Sequence, residues 1–412
     1  MTEPSIHIFG GGTVFHVRPH LAISAPAYGQ TAKDLERLLG WNAPRLHLTR
    51  MAGGERELET NEDVRKRLEK LTADPNTKVI FMSAALCDFE ASVLESDGRG
   101  TNSGKDRPRL KTAHGKRTVE LTPADKLIGS IRKERKDIFL VGFKTTAGAS
   151  ADDQYLAGLG LLKGSSCNLV LANDLHTKLN MVITPEQARY HETTDRGEAL
   201  KGLVEMTLLR SKGTFTRSTV VEGEAVPWNE SIPYSLRRVV DHCIDRGAYK
   251  PFDGKTVGHF AFKVDDKEFI TSKRKTNFNH LRDIGMVRVE AQDDHRVTAY
   301  GAKPSVGGQS QRIIFREHPD VDCIFHAHIP LKADAPDNIP VREQRPYECG
   351  SHECGKNTSD GLKDFDGIKA VMLDKHGPNV VFNRDIDPAK VIAFIEANFD
   401  LRGRTDNLPT HA

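Results

Sequence analysis

Residues 321–330 read VDCIFHAHIP, and they decide the architecture of the second half of the chain. An apolar run ending in His-x-His predicts a strand, whose two-residue repeat puts His326 and His328 on one face of a sheet. Neutral imidazole is a common ligand of zinc and related divalent metals. A His-x-His pair alone also suits an ordinary buried strand. A third histidine favours the metal: KAVMLDKHG, residues 369–377, predicts a second strand that delivers His376 just before a glycine turn. Three histidines from two strand ends leave one or two coordination positions open, as a catalytic metal site requires.

Around these strands lie a helical stretch, SLRRVVDHCIDRG (235–247), and the strand-like runs TVGHFAFKV (256–264), EFITS (268–272), MVRVEA (286–291) and RVTAYG (296–301). With a further helix at GGQSQRIIFREHP (307–319), they predict a mixed α/β domain around a largely antiparallel sheet. The first half alternates instead. SIHIFG (5–10), KVIFMSAAL (78–86), DIFLVGF (137–143) and NLVLAND (168–174) are strand-like. Between them TAKDLERLLG (31–40), NEDVRKRLEKLT (61–72) and PADKLIGSIRKERK (123–136) have helical periodicity. Such alternation predicts an α/β fold, a Rossmann-like parallel sheet with helices on both faces, whose ligands bind beyond the C-terminal strand ends. Residues 91–117, polar, basic and glycine-rich, interrupt it as either a solvated insertion or a functional loop. A composition shift near residues 222–230 marks the boundary, giving domains at 1–222 and 230–405.

The 412-residue chain carries 59 basic and 57 acidic residues and is 38% hydrophobic, which suits a soluble protein with two cores. The near-balance of charge gives no general attraction to nucleic acid or to a membrane surface. No apolar run approaches the roughly 18–20 residues of a membrane-spanning helix. The start, MTEPSIHIFGGG, reads as a strand entering a glycine turn, not as a signal peptide. Scattered cysteines (Cys87, Cys167, Cys243, Cys323, Cys349 and Cys354) in so long a chain favour free thiols in a reducing cytoplasm.

From about residue 232 to 400 the chain resembles the class II aldolase/adducin family. TVGHFAFKVDDKEFITS (256–272) is similar to the family's Gly-Asn-x-Ser strand and Thr-Pro-Ser-Gly turn. GAKPSVGGQSQRIIFREHPDVDCIFHAHIP (301–330) is similar to its block of Pro-Ser, helix, Arg-Pro-Asp-Val and His-x-His. IPVREQRPYECGS (339–351) with AVMLDKHGPNVVF (370–382) is similar to its closing Gly-Ser and Leu-x-x-His-Gly block. The resemblance implies His326, His328 and His376 as ligands of Zn²⁺, or of Mn²⁺ or Fe²⁺. It implies a substrate-anion pocket, here Thr271, Lys273, Arg274 and Ser305. Adducin-type members that only bind partners generally lack the three ligands, so their retention implies catalysis.

The departures from that pattern are as specific. The family's catalytic Glu after Pro-Ser falls in Ser305-Val306-Gly307-Gly308-Gln309, which has no carboxylate. Glu317, at the far end of the helix, reads as a cap or a solvent-facing residue. The family's Asn after Gly is His259. Proton transfer is then expected of His259 or Tyr347 as the catalytic candidates, of a metal-bound water, or of a group on the substrate. Cys349, His352 and Cys354 admit a second metal site, or simply packing.

In the first half, Gly10-Gly11-Gly12-Thr13 ends a strand where backbone N–H groups bare of side chains can approach phosphate. Ala84-Ala85-Leu86-Cys87-Asp88 ends another, and Ala172-Asn173-Asp174 ends the last. Small residues let a base or ribose lie close, and Asn and Asp offer donors and acceptors to its edges. Together these segments resemble phosphopantothenoylcysteine synthetase over residues 5–185. GGGT is followed by Val17-Arg18, AALCDF (84–89) stands for the family's Ala-Ala-Val-Ala-Asp, and VGFKTT (141–146) for its Gly-Phe-Ala-x-Glu. Lys163-Gly164 precedes LANDL (171–175), which stands for Ala-Asn-Asp-Val. The resemblance implies CTP, or another nucleotide, bound with Mg²⁺ at Gly11, Gly12, Thr13, Ala85, Asp88, Phe143, Asn173 and Asp174. It implies activation of a carboxylate for capture by an amine, with catalytic roles for Arg109 and Lys111 where the family has Lys-Ile-Lys-Lys. Arginine keeps the charge but is a poor proton carrier. The family's Asn four residues after Val-Arg is Ala22.

These expectations combine into a bifunctional metabolic enzyme. A CTP-dependent, ligase-like domain is fused to an aldolase-like lyase or epimerase whose metal serves as a Lewis acid on a carbonyl or enediolate. Small-molecule substrates (a carboxylate, carbonyl or phosphorylated metabolite) are expected, with no membrane or nucleic-acid partner, and both resemblances imply a homo-oligomer. The alternative is a catalytically weak regulatory or scaffold protein that binds nucleotide and metal. A nucleic-acid role for the basic residues 99–117 would show as salt-dependent affinity.

Overall fold

The computed structural model describes residues 5–95, 98–305 and 308–405. The chain divides into two compact units, one of residues 1–184 with 190–211 and one of 185–189 with 212–412. The strand Arg217–Val221 pairs in parallel with Arg296–Tyr300. That pairing carries residues up to 222, which composition assigned to the first domain, into the second unit. No helix among the described residues is long and apolar enough to cross a membrane.

The first unit is built on a sheet in the spatial order Arg189–Thr193, Asn180–Ile183, Leu169–Asp174, Phe139–Thr146, Thr77–Met82, Ser5–Gly10, Arg45–Leu48. From Leu169–Asp174 onward the neighbours run parallel, and Asn180–Ile183 is antiparallel to it. The parallel strands are covered on both faces, which is why they read as unbroken apolar runs. Helix Asn61–Ala73 starts on a capping box between Thr60 and Asp63 and buries Val64, Leu68 and Leu71 at helical spacing. Helix Ala151–Ser165 comes close to its strand through Gly158, where a Cβ would lie 2.4 Å from Ile183 and 3.1 Å from Ala172.

Residues 91–117 are not a bare loop, although most of those described are exposed. Phe89–Leu94 pairs antiparallel with Thr118–Pro123, and Gly100–Thr101 adds a third strand. Leu110 packs with Val17, Ala91 and Val93 in a small apolar cluster. Because Thr118–Pro123 is a strand, the helix expected over 123–136 is confined to Ile128–Glu134.

The second unit is a mixed, mostly antiparallel sheet. At its centre Cys323–His326 lies between His259–Lys263 and Gly377–Phe382, antiparallel to both, and Ile368–Leu373 follows. Alternation divides the side chains. Phe260, Phe262, Cys323 and Phe325 enter one core, which also takes Val239, Val391 and Ile395 of helices Tyr234–Asp245 and Pro388–Asn398. Ala261, Ile324 and Val381 face the other core, with Ile314 and Phe315 of helix Gly308–Glu317. His326 shares this second face. The strand expected to carry both histidines stops at His326, so His328 projects from the segment just beyond it.

Gly377 sets where His376 goes. Its φ is +140°, and a Cβ there would sit 2.1 Å from the Ala327 carbonyl oxygen, so only glycine lets this turn close on the strand end. Gly377→Ala is expected to destabilise the second unit by about 2–4 kcal/mol, against about 1 kcal/mol for Gly367→Ala, as strained-backbone and overpacking substitutions do. Gly367 also has positive φ but faces open space. Denaturant unfolding of the two variants checks the difference.

A buried histidine pair anchors the opposite end of the first sheet. Arg67 Nη1 lies 2.8 Å from His47 Nδ1, His47 Nε2 3.0 Å from His7 Nδ1, and His7 Nε2 2.9 Å from Ser5 Oγ, which donates to the Asn76 carbonyl. Arginine only donates, so each imidazole accepts at Nδ1 and donates at Nε2. An imidazolium has no acceptor and would break the chain. Burial first, then neighbouring cationic groups, lowers both pKa values from 6.5 to about 4. The unfolded chain therefore binds more protons between pH 6.5 and 4, and stability falls as pH falls through that window. Scanning calorimetry should show a melting midpoint that drops from pH 7 to pH 5, with a shallower slope in a His7→Leu, His47→Leu variant.

Candidate functional site

His326, His328 and His376 converge on one site. Their ligand-capable atoms all lie within 4.8 Å of one another, and all three side chains are buried. The rings stand nearly edge to face, with centroids 4.8 Å apart for His326–His376 and for His328–His376. Nitrogens on a tetrahedral zinc sit about 3.4 Å apart, so small ring rotations close the set. His326 Nδ1 lies 2.8 Å from the Pro378 carbonyl oxygen, to which it donates, and this leaves the Nε2 lone pair for a metal. Burial lowers the His326 pKa to about 4, only partly opposed by the Pro378 bond, so the ring is neutral near pH 7, as a ligand must be. The donor set fits a divalent cation of the zinc type.

Backbone contacts hold the three in place. The Tyr249 hydroxyl donates to the His326 carbonyl at 3.2 Å, and a Cβ on Gly258 would lie 2.6 Å from that same oxygen. Thr405 ties the other two, its N–H bonding the His328 carbonyl at 3.1 Å and its hydroxyl the His376 carbonyl at 2.7 Å.

His259 is the cross-strand partner of His326, with ring centroids 4.7 Å apart. Gln311, reaching in from helix Gly308–Glu317, places its Nε2 2.9 Å from His259 Nδ1. Burial, then the neighbouring His326, holds the His259 pKa well below 6.5. On the other side of His326, in register with it, stands Asn379. The sequence reading missed both Gln311 and Asn379. An amide inside the apolar run VVF and its approach was the available signal, but only register shows what it faces.

The anion candidates come together through the main chain. Lys273 bridges Pro304, the Arg274 N–H bonds the Lys303 carbonyl, and the Ser305 N–H bonds Ser272. Thr271 is fully buried, its hydroxyl turned to the Phe260 carbonyl at 3.4 Å. Burial, then Arg274, Lys255 and Lys303, lowers the Lys275 pKa, which marks a concentration of positive charge suited to an anion. Tyr347 is half-buried, in a turn whose carbonyl accepts from Gln344.

Glu317 neither caps its helix nor simply faces solvent: it accepts from Ser359 Oγ at 2.6 Å and from Lys356 at 3.1 Å, tying its helix to His352–Gly361. Of the segment where the family places its Glu, Val306 and Gly307 lie outside the described residues. His352 bonds Thr216 and stacks on His295, and Cys354 Sγ contacts Gln344. Among the described residues, His326, His328 and His376 form the one cluster of metal-ligating type, and it includes none of Cys349, His352 and Cys354.

At the strand ends of the first unit the expected nucleotide residues sit side by side, but several are already engaged. The Gly12 N–H bonds Ala27 and the Thr13 N–H bonds Ala85. Thr13 Oγ1 donates to Asn61 at 2.7 Å and accepts the Cys87 N–H at 2.8 Å. The Asp174 carboxylate accepts from the N–H groups of Gly148, Ala149, His176 and Thr177 and from Thr146 Oγ1. These donors, Thr177 foremost, hold its pKa well below the usual carboxylate range. Gly11 has a φ of +97°, and a Cβ there would lie 2.1 Å from Thr49 Oγ1. Asp88 is exposed beside Lys126, Asn173 accepts from Thr145 at 3.2 Å, and Phe143 is half-buried. Arg109 and Lys111 are exposed on either side of the anchored Leu110.

Residues 245–333 match the profile of the family described as Class II Aldolase and Adducin N-terminal domain. The coenzyme A biosynthesis bifunctional protein CoaBC of Thermococcus kodakarensis is 28% identical over 120 residues, which are 29% of this chain and 27% of that protein. The solved DNA/pantothenate metabolism flavoprotein of Streptococcus pneumoniae is 17% identical and covers 50% of this chain and 96% of its own, with a TM-score of 0.42. A solved L-fuculose 1-phosphate aldolase is 17% identical over 41% of this chain and 82% of its own, with a TM-score of 0.32. The C-terminal region of this chain thus matches the class II aldolase/adducin family, and its N-terminal region is similar to the CoaBC and phosphopantothenoylcysteine synthetase-like proteins.

Proposed function

We propose that the chain is a bifunctional metabolic enzyme whose C-terminal domain, residues 230–405, works with a divalent metal on a small carbonyl compound. The observation that carries this reading is the set of three buried histidines within 4.8 Å, inside a region whose first part matches the aldolase family. His326, His328 and His376 would hold the ion, zinc first and manganese or iron behind. When bound, it supplies Lewis-acid polarisation of a carbonyl oxygen. The chain's own residues orient the substrate: the Lys273–Arg274 turn with Ser305 draws a carboxylate or phosphate, and the neutral His259 beside His326 donates a hydrogen bond or relays a proton. With no carboxylate in Ser305-Val306-Gly307-Gly308-Gln309, and with Glu317 tied to Ser359 and Lys356, this chemistry differs from cleavage assisted by a Glu. Lyase and epimerase reactions both fit, and Tyr347 stays a second proton-transfer candidate.

The N-terminal domain, residues 1–222, is proposed to bind CTP or a related nucleotide with Mg²⁺ beyond the parallel strand ends. Gly11, Ala85, Asp88, Phe143 and Asn173 would line it, with Arg109 and Lys111 meeting the phosphates. The engagement of Thr13, Gly12 and Asp174 in internal bonds favours a second reading, in which this domain binds nucleotide with little turnover and serves as a regulatory scaffold. A homo-oligomer in the cytoplasm is proposed for either.

Metal analysis of the purified chain should find a single divalent ion per chain, lowered by roughly tenfold or more in a His326→Ala, His328→Ala variant, as loss of ligands demands. Unchanged metal content would reject the site. Calorimetry should show heat on adding CTP with Mg²⁺, and silence with every triphosphate would remove the nucleotide claim. Release of pyrophosphate in the presence of small carboxylates and amines separates a ligase from a scaffold.

A further inference from the structure

The resemblance on which the metal reading rests gives no role to Gln311 or Asn379, the two amides near His259 and His326. Antiparallel pairing sets His259, His326 and Asn379 abreast on three neighbouring strands, with side chains on the same face of the sheet. Asn379 is 2% exposed, and its Oδ1 has no hydrogen-bond partner among the described residues. On the other flank, Gln311 is fully buried, gives its Nε2 to His259, and leaves its own Oε1 without a partner among the described residues. Two enclosed amide oxygens thus belong to residues that touch His259 or stand abreast of His326. A folded chain rarely leaves such groups orphaned unless a ligand satisfies them. A group seated at the histidines can bring the donor that they lack.

We propose that Asn379 and the Gln311–His259 pair are the positioning residues of the metal site, and that they grip a hydroxyl of the ligand held at its open face. This rests on the metal reading above and deepens it. Gln311 donates to His259 Nδ1, which leaves the ring proton on Nε2 and makes His259 a neutral hydrogen-bond donor. Asn379 Oδ1 supplies the matching acceptor across His326. A small ligand with a hydroxyl next to its metal-binding oxygens meets both, and one lacking that hydroxyl leaves the Asn379 acceptor orphaned.

Two chelators that differ by one hydroxyl test this. Acetohydroxamate and glycolohydroxamate bind divalent metals through the same group, and the second adds a hydroxyl. Each is titrated into the Co²⁺-loaded full chain and followed by the visible absorption of Co²⁺. The wild type is expected to prefer glycolohydroxamate by about tenfold, the gain of satisfying a buried acceptor. In Asn379→Val that preference disappears, while Co²⁺ content and acetohydroxamate affinity stay as in the wild type. In Gln311→Leu, where the His259 proton is no longer directed, the preference for glycolohydroxamate also falls. Residues with a merely structural role would lower stability without touching the preference. Equal affinities in the wild type, or a preference that survives Asn379→Val, overturns the proposal. So does loss of Co²⁺ from Asn379→Val, which would make the amide oxygen a ligand. A wild-type chain that takes up no Co²⁺ instead overturns the metal reading itself, so the two failures are told apart.

Discussion

Antiparallel pairing between Cys323–His326 and Gly377–Phe382 is the contact on which the second unit depends. It joins the middle of the sheet, feeds Phe325, Val380 and Phe382 into one core and Ile324 and Val381 into the other, and carries the turn holding His376 back onto the end of the first strand. The same pairing brings the Pro378 carbonyl to His326 Nδ1. Burying three imidazoles costs desolvation, and a hydrogen bond of about 1 kcal/mol net recovers only part of it. Burial in return lowers the His326 pKa, and an uncharged ring is what a cation needs. The site is therefore expensive as an apo structure and well prepared for a metal.

The first unit handles its polar strand ends in the opposite way. Asp174 spends its carboxylate on five donors from its own and the neighbouring loop, and Thr13 knits the glycine turn to Asn61 and Cys87. Residues that a motif would assign to a ligand here brace the loops around the place where a ligand would lie. A motif can thus persist for the shape of a site as well as for its contacts. What remains turned outward is Asp88, with Ala85, Phe143 and Asn173 half-buried.

Much of the architecture was legible in residue order. The parallel strands announce themselves because burial on both faces demands continuous apolar runs, and the helix Asn61–Ala73 because its capping box and its periodic Val64, Leu68 and Leu71 agree. The hairpin-like sheet around residues 91–117 was not legible. Its strands are polar and mostly exposed, and what holds them is a few apolar residues such as Val17 and Leu110 that are far apart in sequence. The extent of helix Ile128–Glu134 was misjudged for the same reason, since a strand pairing outcompeted helical propensity at residues 118–123.

By itself the sequence determined the central parallel strands and the longer helices, that His326, His328 and His376 lie at strand ends, and that no carboxylate stands from Ser305 to Gln309. These follow from local periodicity and residue identity. Only the tertiary structure decided that His259 and Asn379 flank His326, that Gln311 reaches His259, and that Asp174 and Thr13 are already bonded. The first three are matters of register or of helix placement between segments 50 or more residues apart. Local preferences carry no information about such pairings, because burial of the whole sheet sets them at once.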